Sequence, residues 1–123
     1  MAVINATRTQ FGDNSVTVFT YETITTANTT GAPIQMAEYA DRTIHVKGTF
    51  GAAATIVWEG SNDGVTYVTL TDPQGNALSK TAEAIETVME VTRFARPRLA
   101  SGGDGSTDID VIVLLRRANP MRT

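Results

Sequence analysis

Residues 42–76 read RTIHVKGTFGAAATIVWEGSNDGVTYVTLTDPQGN, and this stretch decides the fold class. Thr43 to Lys47 alternates, with Ile44 and Val46 on one side and Thr43, His45 and Lys47 on the other, the two-residue period of a half-buried strand. Gly48 and Gly51 bracket a bend. From Thr55 to Glu59 the alternation resumes, with Ile56 and Trp58 sharing a face. Ser61-Asn62-Asp63-Gly64 then reverses the chain, because Asn, Asp and Gly tolerate the positive φ that a hairpin turn needs. Val65 to Leu70 runs back, and Asp72-Pro73-Gln74-Gly75-Asn76 makes a second turn, in which Pro presets φ and Gly takes the left-handed position. Two hairpins so close together are the signature of an all-β chain, and the expectation is a single β-sandwich.

Working outward, the strongest strand lies near the end. In Asp108 to Arg117, DIDVIVLLRR, the residues Ile109, Val111, Val113 and Leu115 line one face and Ile112 and Leu114 the other, so the strand is central or covered by another subunit. Ser15 to Tyr21 is a second strand, with Val16 and Val18 opposite Phe19 and Tyr21. Arg93 to Leu99 contains Pro97, which cannot donate to a ladder and belongs at an edge or beside a bulge. Lys80 to Val91 is the one helix-compatible window, although its β-branched residues also suit a short helical turn followed by a strand. Met36 to Asp41 suits a turn of helix or the start of a strand. Glu22 to Gln35, rich in Thr, reads as a long loop and hence as a contact element. Residues 1–14 read as an extended N-terminal arm, residues 15–117 as the sandwich domain and residues 118–123 as a C-terminal tail.

The chain of 123 residues suits one domain, long enough to bury a core. With no cysteine, disulfides, thiolate metal sites and cysteine nucleophiles are excluded. A net charge of −3 argues against a nucleic-acid partner, which would call for a basic face. No apolar run reaches the roughly 18 residues of a membrane span, and the first residues lack the pattern of a signal peptide. The expectation is therefore no membrane contact and synthesis in a cytoplasm.

Few residues invite chemistry. His45 is the single histidine, placed mid-strand beside Thr43 and Lys47, and no nucleophile elbow accompanies it. Asp104, Asp108 and Asp110 gather around a Gly-rich turn of the kind that can hold calcium, yet they lack the EF-hand spacing and equally serve turn capping. Trp58 suits sugar stacking if exposed, and core packing if its strand faces inward. The Gly-rich segments lack the lysine of a phosphate cradle. No catalytic residue, cofactor or metal is expected. Arg93, Arg96, Arg98, Arg116, Arg117 and Arg122 cluster late, either to solvate an edge or to meet an acidic partner.

The run GTFGAAATIVWEGSNDGVTYVTLTDPQGNALS, followed by RFARPRL and SGGDGSTDIDVIVLLRR, resembles the capsid decoration (cement) proteins of tailed bacteriophages, over roughly Arg42 to Arg117. The resemblance implies a jelly-roll sandwich that binds the capsid exterior in the virion, often as a homodimer or homotrimer, and staples neighbouring major capsid protein subunits. It brings no catalytic residues. The EGSNDGVTY hairpin is also similar to those of sugar-binding and discoidin-like sandwiches, so a carbohydrate- or host-surface-binding module is the alternative, together with a tail or neck component. For a partner-binding role the candidates are the faces bearing Phe19 and Tyr21 and bearing Ile112 and Leu114, with Phe11 on the arm, Ile24 and Ile34 in the loop, Arg116 and Arg117 at the end of the last strand and Arg122 on the tail.

Overall fold

Alternating side chains carry the chain into two antiparallel sheets that share one core. The computed structural model describes residues 3–12 and 15–117. The strands are β1 (Thr7–Phe11), β2 (Val16–Ile24), β3 (Ile34–Gln35), β4 (Asp41–Thr49), β5 (Thr55–Ser61), β6 (Val68–Thr69), β7 (Ser79–Lys80), β8 (Ala84–Thr87), β9 (Phe94–Ser101) and β10 (Asp108–Arg116). Sheet I runs β1-β2-β10-β4-β8, and sheet II runs β3-β9-β5-β6 with β7 also paired to β5. No helix occurs among the described residues. The all-β sandwich expected from the hairpins is what forms.

β10 lies between β2 and β4, in unbroken register with β4 from Asp108 opposite Thr49 to Arg116 opposite Asp41. Its residues Ile109, Val111, Val113 and Leu115 all lie in the core. Sheet II answers with Ile56, Trp58, Ala95 and Leu99, and the loops add Leu70 and Leu78. Trp58 meets Tyr21 edge-on across the core, with ring centroids 6.5 Å apart, a geometry aromatic pairs favour.

Strict alternation fails at one instructive place. Tyr21 and Ile24 are an odd number of residues apart, yet both are fully buried. A β-bulge reconciles them: the β2–β10 register shifts between Ile109 and Val111, so that Glu22 and Thr23 together oppose Asp110. Thr23 takes a φ of 65°, unusual for a β-branched residue, and its N–H donates to Asp110 Oδ1 at 3.0 Å. On the neighbouring strand Gly48 sits at φ 120°, where a Cβ would lie 2.4 Å from the Asp108 carbonyl oxygen. Only glycine lets β4 and β10 approach so closely.

Pro97 lies opposite Trp58 at a position where β5 turns its own N–H and C=O away, toward Leu78 and Leu70. The Pro97 carbonyl accepts from Gly31 on the other side, so its missing N–H interrupts no bond to β5. The helix-compatible window from Lys80 to Val91 holds the end of β7 and all of β8; Ile85 pairs with His45 in sheet I, and tertiary pairing overrides the local propensity. Met36 to Asp41 is a turn, closed by the Tyr39 N–H donating to Met36 O, which feeds β4. The segment read as a free arm is paired along part of its length: β1 joins the edge of sheet I, and Ile4 bridges Gly31 beside sheet II. The C-terminal tail lies outside the described residues.

Arg42 closes the opposite side. Its buried guanidinium donates to the carbonyls of Tyr39, Ala40, Val88 and Met89 at 2.9 to 3.2 Å, tying two loops together. Burial draws its pKa downward, since no carboxylate touches it, while Asp41 and Glu90 act in the opposite direction. Arg42→Met is expected to destabilise the fold by about 2–4 kcal/mol, because charge-assisted bonds to buried carbonyls are lost together. Arg42→Lys will rescue only part of this, since an ammonium lacks the planar fork. Urea denaturation of the three proteins measures both.

The turn at Ser61 to Gly64 folds around Asp63, whose Oδ1 accepts from the Thr66 and Val65 N–H groups and from Ser61 Oγ. Those bonds, from Thr66 first, hold its pKa at about 2. The folded value lies below the ordinary one, so the stabilisation is complete above about pH 4 and disappears as pH falls toward 2. The stability gap between the wild type and Asp63→Asn will accordingly shrink across that window in acid-denaturation curves.

Candidate interaction faces

The side of sheet I turned away from the core is built in register rows. One row crosses Thr9, Val18, Leu114, Thr43 and Thr87; the next crosses Thr7, Thr20, Ile112, His45 and Ile85. A third runs Phe11, Val16, Arg116, Asp41 at the rim, where Arg116 and Asp41 form an ion pair at 2.7 Å. The two middle rows hold threonines, aliphatic side chains and one histidine, without a carboxylate, lysine or arginine. Phe11, Ile85 and Leu114 are 54%, 64% and 41% exposed, more than isolated apolar residues of a buried sheet would be. Contiguous apolar patches of this kind mark contact surfaces.

Of the residues expected to bind a partner, Phe11, Ile112 and Leu114 share this outer face. Phe19, Tyr21, Ile24 and Ile34 do not. Tyr21, Ile24 and Ile34 are core, and Phe19 packs against that core. For Phe19 and Tyr21 the parity of β2 decides, since Val111 and Val113, their register partners, point inward; the bulge turns Ile24 the same way. Ile34 pairs with Ala95 in sheet II. Tyr21 Oη donates to Ala32 O at 2.6 Å and burial pushes its pKa up, as befits an uncharged core phenol. The segment from Glu22 to Gln35, expected as one long loop, begins in β2 and ends in β3, and what lies between is pinned: a Cβ on Gly31 would lie 2.7 Å from both Pro97 and the Tyr21 ring.

The arginines divide between the two sheets. Arg116 and Arg117 lie at the end of sheet I, Arg117 paired with Glu38 and 5.7 Å from the Tyr39 ring. Arg122 lies outside the described residues. Arg96 and Arg98 belong to the outer side of sheet II, where both Nε–H groups donate to Glu59, at 2.8 and 3.1 Å. Glu59 is 3% exposed, and Arg96 is stacked 3.8 Å from the centroid of the Tyr67 ring. The two-residue spacing of Arg96 and Arg98 in RFARPRL already placed them on one face; their shared acid, a strand away, has no signature in the sequence.

The structure also places the remaining candidates. Trp58 is 1% exposed, so its ring offers no platform to a sugar. His45 lies between Ile112 and Ile85 in register, with no carboxylate beside it there. Asp104 accepts from the Ala52 and Ser106 N–H groups and Asp110 accepts from the Thr23 N–H, so these two aspartates near the Gly-rich turn serve separate backbone tasks. Among the described residues no three His, Cys, Asp or Glu side chains converge as metal ligands.

The assignment of faces is testable by stability alone. Leu114→Ser will change the free energy of unfolding by no more than about 0.5 kcal/mol, as surface substitutions do. Val113→Ser, one residue away, will cost above about 2 kcal/mol by leaving a cavity and a buried hydroxyl. Thermal or urea unfolding of the pair separates the two sides of β10.

Comparison with protein-family models, curated proteins and solved structures finds no match to this chain.

Proposed function

We propose that this chain is a structural virion protein that binds the exterior of a phage capsid and bridges neighbouring major capsid protein subunits, with the outer face of sheet I as its contact surface. The observation that carries the reading is the charge-free pair of rows through Leu114 and Ile112, running across all five strands of sheet I. A rigid sheet presents such a surface with little ordering cost, since its backbone is already fixed by hydrogen bonds on both sides. Phe11, Leu114 and Ile85 supply the apolar area, and threonine hydroxyls supply polar contacts without a charge to desolvate.

The strand order supports the jelly-roll form of this reading. Sheet I contains β2-β10-β4-β8, sheet II contains β3-β9-β5-β6, and the chain passes from one sheet to the other at β2 to β3, β3 to β4, β4 to β5, β7 to β8, β8 to β9 and β9 to β10. That order interleaves early and late strands as a double Greek key does. Shell binding also suits modest contacts, because each copy that spans two or three subunits gains from multivalency. No enzymatic step is part of the proposal. Of the two supports for the sugar-binding alternative, Trp58 and the EGSNDGVTY hairpin, Trp58 is buried.

Quantitative mass spectrometry of purified source virions tests the reading. A copy number equal to that of the major capsid protein, or a simple fraction of it, is the expected result. A handful of copies per particle would move the chain to the neck or tail, and absence would overturn a virion role. The face itself is tested with Leu114→Asp/Ile85→Asp. This variant is expected to keep the far-ultraviolet circular dichroism of the wild type and to bind expanded shells lacking the protein at least about tenfold more weakly, because buried unpaired carboxylates oppose docking. Wild-type affinity in that variant would remove sheet I as the contact.

A further inference from the structure

We infer that the outer face of sheet II is a carboxylate-binding site, built by Arg96 and Arg98 around Glu59 and suited to an extended acidic segment of a partner protein. The inference does not depend on the reading of sheet I. One arginine would neutralise Glu59, but two are bound to it, and the cluster retains one uncompensated positive charge. Both guanidiniums use only Nε on Glu59, and their Nη groups make no hydrogen bond to any described residue. Arg98 is 38% exposed and Arg96 26% exposed, so the cluster is reachable while Glu59 beneath it is not.

The guanidiniums are also held in place before any ligand arrives. Glu59 fixes one edge of each, and the Tyr67 ring lies against Arg96. Arg93 continues the line of cations, its guanidinium 4.9 Å from the centroid of Phe94, and Phe94 precedes Arg96 by two positions on β9. The carboxylate of Asp63, in the adjoining turn, is taken up by Ser61, Val65 and Thr66. A preorganised guanidinium fork accepts a carboxylate with little loss of rotamer entropy, and it matches the carboxylate geometry in a way that an ammonium does not.

Spacing and charge select the occupant. Alternate Cα atoms on a strand are roughly 6.8 Å apart, and from that spacing the Arg96 and Arg98 side chains converge on the single Glu59 carboxylate, so their remaining donors face the same side of β9. An extended segment with Asp or Glu along one of its sides presents carboxylates to those donors and offsets the surplus positive charge. A nucleic acid is disfavoured by the net charge of −3 on the whole chain.

The test uses the full chain and a synthetic peptide of alternating Thr and Asp, with the Thr-Asn peptide and inorganic phosphate as controls. Two-dimensional NMR follows the Arg96 and Arg98 Nε–Hε signals. The expected result is that the Asp peptide moves both signals saturably, that the Asn peptide does not, and that Arg98→Gln weakens binding at least about tenfold, the loss of a charge-assisted pair. Arg98→Gln keeps Glu59 paired with Arg96, so the fold is retained. Equal binding of the two peptides, an unchanged affinity in Arg98→Gln, or a response to phosphate alone would each overturn the proposal, the last by identifying a small-anion site.

Discussion

The sandwich depends on its last strand lying between two much earlier ones. β10 receives β2 on one side and β4 on the other, and its four inward side chains form the middle of the sheet I core. Arg116 lies opposite Val16, so residues from opposite ends of the described chain must meet before sheet I exists. Closing so long a loop costs entropy before any contact compensates, which places this fold among those of high contact order and slow formation. The bulge at Glu22 and Thr23 follows from the same constraint: β2 must track β10 and still deliver both Tyr21 and Ile24 to the core.

Much of this architecture was legible. The alternation of Thr43 to Lys47, Thr55 to Glu59 and Asp108 to Arg117, with turn chemistry at Asp63 and Asp72, gave the class of fold and the central strand. Where the reading failed, a long-range partner decided. Ser15 to Tyr21 is apolar on both sides, and only its register with β10 shows that Phe19 and Tyr21 face inward and Val16 and Val18 outward. Lys80 to Val91 has helical periodicity, but the pairing of β8 with β4 determines its conformation. The outer face of sheet I was half visible: Ile112 and Leu114 were seen as one side of a strand, whereas Ile85, Val18 and the threonines beside them come from four other strands.

Two of the buried charges, Arg42 and Glu59, show opposite solutions to one problem. Arg42 is surrounded by neutral acceptors, four carbonyl oxygens whose dipoles replace its hydration. Such an arrangement joins loops, because each loop supplies what an isolated cation requires. Glu59 is met by full charges, and by one more than neutrality needs. The first leaves only a buried Nε–H without a partner, out of reach of any ligand. The second leaves donors unspent on an accessible surface, and that difference separates a structural charge from one able to recognise a ligand.

The two layers thus expose unlike chemistry in opposite directions. Contact through sheet I would draw on apolar area and hydroxyls and should vary little with ionic strength. Contact through Arg96 and Arg98 would be weakened by salt, since exposed charges are screened over roughly 8 Å at physiological ionic strength. A domain that joins two neighbours needs surfaces that do not compete for the same partner, and a neutral face backed by a cationic one meets that condition within a single sandwich. Salt titration of an assembled complex would therefore release partners in order, the acidic one first, while the core between the sheets, held mainly by apolar contact and bridged at its margin by the Lys80–Glu86 pair of β7 and β8, stays intact.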